Sequence, residues 1–320
     1  MKVPVLAVEH VRALLQNECA RVRAGASRVV ESAKEGTLDP EAIHDYRVAL
    51  RKLRTLLKAA APLFKRKAMA RLQEGLRRFA RAAGAVRDEE VLAETLQKIT
   101  LPEATRARVD TWLAGRARRE RELRTEITLQ LTPTGDAPRE PIVDGAVVSP
   151  PAAARRRPMS LSHALTLAQE LPLREKAGHV ATRALAIQAM ERAAKKTAKE
   201  AALPNVETPE QLHELRIRWK GVRYTGELLS KAIARSGPLA TALSDRVKAA
   251  TKMQKRLGDM HDLDEAIAAI ARARALSAGD RMVVHHRLRT AREALAARLE
   301  KELPVALSLL DGGDEGRGLE

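Results

Sequence analysis

Aromatic residues are scarce in this chain: only six of its 320 residues are Phe, Trp or Tyr. The hydrophobic share is nevertheless 45%, so a core has to be built mainly from Ala, Leu and Val. Such a core suits closely packed helices better than a β-sandwich, which draws on aromatic and β-branched residues. The shortage also leaves few platforms on which the bases of single-stranded nucleic acid could stack.

Other absences narrow the functional class. A single cysteine, Cys19, excludes an intramolecular disulfide framework and a cysteine-rich zinc site. No apolar run approaches the ~20 residues that span a bilayer, and the first residues lack the apolar stretch and cleavage site of a secretory signal. No P-loop, nucleophile elbow or carboxylate cluster for two metals is found. We therefore expect a cytoplasmic protein without catalytic activity, cofactor or membrane association.

Acidic residues are outnumbered by basic ones, which gives a net charge of +17 and a pI of about 10.4. A field of this sign attracts polyanions and speeds their encounter. Nucleic acid, inorganic polyphosphate, an anionic membrane surface and acidic proteins are all candidates at this point. Charge alone does not choose among them.

Nearly the whole chain has a helical composition, interrupted by one proline-rich segment. Asp39 and Pro40 form a helix start, with Asp39 as the N-cap and Pro40 at the first helical position. Residues 132–159 contain six prolines and predict a linker, because proline cannot continue a helix. Before this segment, helices are predicted over 8–35, 65–83, 86–99 and 103–130. Helical composition resumes at residue 160 and continues over 173–202, 208–235, 238–258, 260–275 and 280–303.

The two sides of the linker carry the same motifs in the same order. "IHDYRVALRKLR" at 43–54 matches "LHELRIRWKGVR" at 212–223, and "GAVRDEEVL" at 84–92 resembles "GDMHDLDEA" at 258–266. The aligned basic pairs are His44 and His213, Arg47 and Arg216, Arg51 and Lys220, Arg54 and Arg223, Arg78 and Lys252, Arg81 and Lys255, and Arg87 and His261. We infer an internal duplication: residues 1–131 form a first helical half, 132–159 the linker, 160–306 a second helical half and 307–320 a disordered tail.

Helical geometry separates the basic residues from the core residues. At about 100° per residue, five basic residues fall within an arc of roughly 80° around the helix and extend over ~21 Å along it. This first stripe consists of His44, Arg47, Arg51, Arg54 and Lys58. The second stripe consists of His213, Arg216, Lys220 and Arg223. A different arc in each helix is apolar and predicted to face the core: Tyr46, Leu50, Leu53, Leu57 and Ala60 in the first copy, and Leu215, Trp219, Val222 and Leu229 in the second.

The stripes are poor in acids, which is the feature that needs an explanation. Like charges at i,i+3 and i,i+4 destabilise a helix by a few tenths of a kcal/mol per pair. The first stripe contains no acid, and the second meets one only at Glu227. An external anion that neutralises both stripes explains the pattern better than a solvated surface does.

These two motifs resemble the CHAD family, the conserved histidine α-helical domain. The resemblance rests on "HDYRVALRKLR" with "GAVRDEEVL" and, more loosely, on "HELRIRWKGVR" with "GDMHDLDEA". It implies an all-α fold of two helical bundles related by a pseudo-twofold axis around a basic central cavity. It also implies non-catalytic binding of inorganic polyphosphate and association with polyphosphate granules.

The predicted polyphosphate-binding set comprises both stripes together with Arg78, Arg81, Arg87, Lys252, Lys255 and His261. Arginine suits this ligand because its planar fork makes paired hydrogen bonds to phosphate oxygens. His44 and His213 either contact phosphate or only position the stripe, and two histidines are too few to hold a metal. Weak non-specific nucleic-acid binding and a scaffold for acidic proteins stay open as alternatives, and the sequence does not reveal the oligomeric state.

Overall fold

The computed structural model describes residues 6–35, 39–132, 159–203 and 208–311. Within those ranges the chain forms nine α-helices and two short 3₁₀ segments, and no strand. The predicted all-α class is therefore confirmed. The helices are α1 (Ala7–Lys34), α2 (Pro40–Ala59), α3 (Arg66–Lys98), α4 (Glu103–Leu131), α5 (Leu161–Gln169), α6 (Thr182–Ala201), α7 (Pro209–Ile233), α8 (Pro238–Ala271) and α9 (Ala278–Asp311).

Helix α2 begins where the sequence predicts. The Asp39 side chain accepts hydrogen bonds from the backbone N–H groups of Glu41 and Ala42, at 3.0 and 3.1 Å. These bonds satisfy two of the donors that a helix leaves unpaired at its start. In the second copy the Thr208 hydroxyl accepts from the Gln211 N–H at 3.4 Å at the start of α7. The motif-bearing helices of both copies thus start with a side-chain cap followed by proline.

Three predicted helix boundaries are wrong. Helix α3 continues through Gly84, and α8 continues through the predicted break at residue 259. A helical glycine costs about 1 kcal/mol relative to alanine, which the buried packing of Ala83 and Val86 on either side of Gly84 outweighs. The helix predicted over 173–202 begins only at Thr182.

The segment before α6 is held in a non-helical path by backbone pairing with distant residues. Arg174 N–H donates to the Leu63 carbonyl, and Lys65 N–H donates to the Pro172 carbonyl, both at 2.9 Å. Ala7 N–H likewise donates to the Val180 carbonyl at 2.9 Å. These long-range bonds replace the helical bonds that composition alone predicts.

The buried core does not divide at the predicted linker. One cluster joins α1, α2, the first part of α3 and α5, and another joins α7, α8 and α9. Helix α5 follows the linker in sequence, yet Ala164, Leu165 and Ala168 pack into the first cluster. Residues 161–171 therefore bury their apolar side chains against α1, α2 and α3, and the division of the chain into two halves stays a prediction.

A third cluster is shared by elements from both halves. It contains Leu92 and Leu96 of α3, Val109 of α4, Ile270 of α8 and Val284 of α9, all buried. Helix α2 also contacts α7 directly, since Lys52 Nζ lies 3.3 Å from Glu227 Oε2. The two sets of helices are consequently joined both at their motif helices and through a common core.

The remaining domain predictions fall partly outside the described residues. The linker residues 133–158 and the tail residues 312–320 lie outside them. Residues 307–311, predicted as part of a disordered tail, instead continue α9. Among the described residues, none of the helices combines the length and apolar character needed to cross a membrane.

Candidate functional site

Helices α2 and α7 turn their basic stripes toward the same cavity. The apolar arcs face the other way, as predicted: Leu50, Leu53 and Trp219 are fully buried. A direct contact between the helices fixes their spacing, because Arg51 Nη1 donates to Tyr224 Oη at 3.3 Å and its guanidinium lies 5.9 Å from the Tyr224 ring centre. The cavity between the stripes has a volume of about 1000 Å³.

The cavity wall is strongly basic. Thirteen Arg or Lys side chains line it, against four Asp or Glu. Eleven of the fifteen predicted binding residues lie on this wall: His44, Arg47, Arg51, Arg54, Lys58, Arg81, Arg87, His213, Arg216, Lys220 and His261. The structure thus brings most of the two stripes together.

Most of these cations form no ion pair with a carboxylate among the described residues. Within the described residues, nine of the thirteen have no carboxylate within 4.0 Å, and the four that do are Arg81, Arg87, Arg116 and Arg218. Arg54 Nε and Arg216 Nε are buried nitrogen atoms without a hydrogen-bond partner. A buried donor left unpaired costs about 1–3 kcal/mol, so these two nitrogen atoms are buried at an energetic cost.

The electrostatic consequence appears in the acid–base properties of the stripe residues. Burial, together with the neighbouring charges of Arg51, Arg216 and Arg47, lowers the pKa of Lys220 to about 6. Burial and the charge of Arg51 also lower the pKa of Arg47, to about 10. Burial lowers the pKa of Arg216 as well. An anion in the cavity would reverse these shifts, because it favours the charged form of each group.

The histidines of the second copy touch each other. His213 Nδ1 and His261 Nδ1 lie 3.4 Å apart, with ring centres separated by 4.6 Å. Burial, together with the charge of Arg216, lowers the pKa of His261 to about 4. Burial and the charges of Arg216 and Lys220 lower the pKa of His213 too. His44 of α2 is exposed and also lines the cavity, and its contact with phosphate stays a prediction.

Four predicted residues do not lie on the cavity wall. Arg78 donates to the Met159 carbonyl at 3.0 Å, and Lys252 pairs with Glu302 at 3.2 Å. Arg223 is held by Glu227 at 2.7 Å, which is the acid that the sequence places beside the second stripe. The fourth, Lys255, is an exposed residue of α8.

Arg87 lines the cavity but is engaged by acids of its own helix. Its Nη1 lies 3.0 Å from Glu90 Oε2 and 2.7 Å from Glu94 Oε1. Arg87 is thus ion-paired, whereas Arg47 and Lys220 have no carboxylate within 4.0 Å among the described residues. Asp88 and Asp262 also line the cavity, and burial raises the pKa of Asp262 while Arg216 opposes the rise.

Five further cations line the cavity without having been predicted: Arg116, Arg192, Lys196, Arg218 and Arg272. Arg192 and Lys196 belong to α6, which carries no recognisable motif. Arg116 is paired with Glu89 at 2.7 Å, and Arg218 with Glu200 at 3.2 Å. The places of Arg116, Arg192 and Lys196 on the wall follow from how α4 and α6 pack, which a motif search does not reveal.

Metal ligands are not assembled in the part of the chain that the structure describes. No three His, Cys, Asp or Glu side chains come together there as a metal site requires. The His213–His261 pair is surrounded instead by Arg216 and Lys220, whose charges oppose a cation. The site as described is suited to an anion.

Comparison with known proteins agrees with this architecture. A model of the CHAD domain family matches residues 9–271. The chain is similar to the CHAD domain from the plant Ricinus communis, with a TM-score of 0.60 at 20% identity over 98% of this chain and 94% of that one. It is also similar to PptA from Streptomyces chartreusis, with a TM-score of 0.57 at 18% identity over 91% of this chain and 99% of that one. No curated protein matches the chain.

Proposed function

Because the chain belongs to the CHAD family, we propose that it binds inorganic polyphosphate in the cavity between α2 and α7 and does not transform it. Polyphosphate binding is consistent with this family. The observation that carries the proposal is the row of stripe cations without carboxylate partners among the described residues. Polyphosphate supplies one negative charge per phosphate along a flexible chain, and so can neutralise both stripes at once.

Arginine dominates the stripes, which favours phosphate oxygens over a diffuse negative field. Its fork makes two parallel hydrogen bonds to one phosphate, whereas lysine acts as a point charge. Arg47, Arg54 and Arg216 line the cavity with no ion pair to a described residue. Binding would give Arg54 Nε and Arg216 Nε the acceptors that they lack among the described residues.

The proposal of binding without catalysis rests on the nature of the wall. Phosphoryl transfer is promoted mainly by positioning and by metal ions that bridge the phosphates. The described part of the wall offers cations and no assembled metal ligands. In the cell, we propose, the protein acts in the cytoplasm on polyphosphate granules, which can be checked by imaging a fluorescent fusion together with a polyphosphate stain.

Nucleic acid is a poorer fit to the same cavity. Of the six aromatic residues, Trp219, Tyr46, Phe64, Phe79 and Tyr224 are at most 2% exposed. Single-strand binders stack bases on accessible aromatic side chains, and these five are inaccessible. Proteins that recognise double-stranded DNA insert a helix or a β-ribbon into its major groove. The unpaired cations described here instead line a concave cavity of the protein.

The test compares three polyanions at about 150 mM salt, where exposed charges are screened beyond about 8 Å. Affinities are measured for long-chain polyphosphate, double-stranded DNA and polyglutamate of matched total charge. We expect polyphosphate to bind clearly the most tightly. Equal affinity for all three would show that binding is only diffuse electrostatic attraction.

A charge-reversed variant locates the site. Arg51→Glu combined with Lys220→Glu should abolish polyphosphate binding while circular dichroism shows unchanged helicity. The matched control is Lys195→Glu with Lys231→Glu, which makes the same charge change at exposed positions outside the cavity. Equal losses in both double variants would contradict the assignment of binding to the cavity.

A further inference from the structure

A second basic concavity adjoins the cavity at the end of α2. This groove has a volume of about 590 Å³ and lies along the first turns of α3. Lys58, Arg192 and Lys196 line both the cavity and the groove. The two concavities therefore share a basic rim, and an extended ligand can pass from one to the other without leaving cationic surroundings.

The groove repeats the charge imbalance of the cavity. Five cations line it, Arg66 and Arg174 in addition to the three shared residues, and no described carboxylate does. Arg174 Nε donates to the Phe64 carbonyl at 2.9 Å, and Arg192 Nη2 donates to the Ala59 carbonyl at 3.2 Å. A neutral carbonyl leaves the charge of each guanidinium uncompensated.

Basic residues elsewhere on the surface are arranged differently. On α4, Arg118 pairs with Glu122 at 3.3 Å and Arg124 pairs with Glu120 at 2.7 Å. Such i,i+4 pairs are the usual way in which an Arg-rich helix face relieves its repulsion. The groove lacks this relief, so its charge does not follow merely from the basic composition of the chain.

The start of α3 adds a smaller contribution of the same sign. Helix α3 begins at Arg66 with no side-chain cap, so its first N–H groups and its dipole favour an anion there. Gln73 lines the groove two turns further along the helix. Arg66 and Gln73 thus mark successive positions along one path.

We propose that this groove is a second polyanion subsite, through which a linear phosphate chain leaves the cavity past Lys58 and Lys196. The inference rests on the proposed polyphosphate binding and adds a preference for long chains. A ligand that fills only the cavity gains nothing from the groove. A chain that extends into both gains the second set of contacts as an intramolecular step.

The experiment compares tripolyphosphate with long-chain polyphosphate on the full chain carrying Arg66→Ala and Gln73→Glu. We expect long-chain affinity to fall on the order of tenfold, as for the loss of one charge-assisted contact. The dependence of log affinity on log salt should become shallower by about 0.7 for the lost phosphate contact. Tripolyphosphate affinity should change by less than about twofold.

The control and the single variant keep the outcomes separate. Arg71→Ala with Gln16→Glu makes the same chemical changes at exposed positions that line neither concavity, and should leave both affinities unchanged. Gln73→Glu alone shortens no side chain and should still weaken long-chain binding. If the wild type does not bind long-chain polyphosphate, the proposed function fails. If it binds, and the groove variants weaken both ligands equally or neither, only the groove assignment is overturned.

Discussion

Replacing Lys220 by methionine is expected to stabilise the protein and to weaken polyphosphate binding. Methionine keeps the length of the side chain and removes its charge. The pKa of Lys220 is about 6 in the folded protein, against an ordinary value of 10.5, so at about pH 7 folding forces most of the amine to give up its proton. At about 1.4 kcal/mol per pKa unit, this costs at most about 5 kcal/mol.

Water in the open cavity screens part of this cost, so we expect the variant to gain about 1–3 kcal/mol at about pH 7. The gain has a definite pH dependence. Because the pKa of Lys220 is lower in the folded protein, the unfolded chain binds more protons than the folded chain between about pH 6 and 10.5. The free energy of unfolding of the wild type therefore rises with pH across that window. The advantage of the variant must therefore shrink as pH rises, by at most about 1.4 kcal/mol per unit.

Urea denaturation of both proteins at about pH 7 and about pH 9 measures the two free energies of unfolding. Lys195→Met, an exposed change on α6, is the control and should shift stability by less than about 0.5 kcal/mol. A variant that is less stable than the wild type, or whose advantage does not change with pH, would refute the account of Lys220 as an amine whose loss of a proton on folding costs stability.

Three further predictions concern the protonation of Lys220, the cap of α2 and the packing of α1 against α2. Polyphosphate affinity should fall by up to about tenfold per unit between about pH 6 and 8, because Lys220 must take up a proton to bind; titration calorimetry at fixed ionic strength checks this, and a Lys220→Met variant should show a flatter profile. Asp39→Ala should cost about 1 kcal/mol of stability, because two N–H groups of α2 lose their acceptor; an unchanged urea midpoint would contradict it. Gly25→Ala should cost about 1 kcal/mol or more, since the added Cβ would lie 3.0 Å from the Tyr46 Cα, a backbone atom that cannot rotate away; a thermal melt that shows stabilisation would exclude this crowding.

The two stripes could be predicted because their register is a property of one helix at a time. The spacing of His44, Arg47 and Arg51 determines which side of α2 they share, and Leu50 and Leu53 determine the other side. Both sides are found as the sequence predicts. The caps at Asp39 and Thr208 are similarly local, because a cap depends on residues within one turn.

What could not be predicted depends on contacts between helices. Arg192 and Lys196 enter the cavity wall because α6 packs beside α7, and no spacing rule relates them to the stripes. Arg78 aligns with the motif but reaches the Met159 carbonyl instead of the cavity. Whether a basic side chain is paired also depends on acids brought near it by folding, as Arg116 and Glu89 show. The duplication itself stays an interpretation of the sequence, as does the pseudo-twofold axis.

The shared core of α3, α4, α8 and α9 has a kinetic consequence for the cavity. Leu96 and Ile270 are buried together there. The helices before the linker and those after it therefore cannot separate without exposing apolar surface to water. The width of the cavity is therefore set during folding, and a ligand meets walls that are already in place. Capture of the proposed ligand would then need no opening step, and we expect its rate to be governed by electrostatic attraction and by how readily the polyphosphate chain enters.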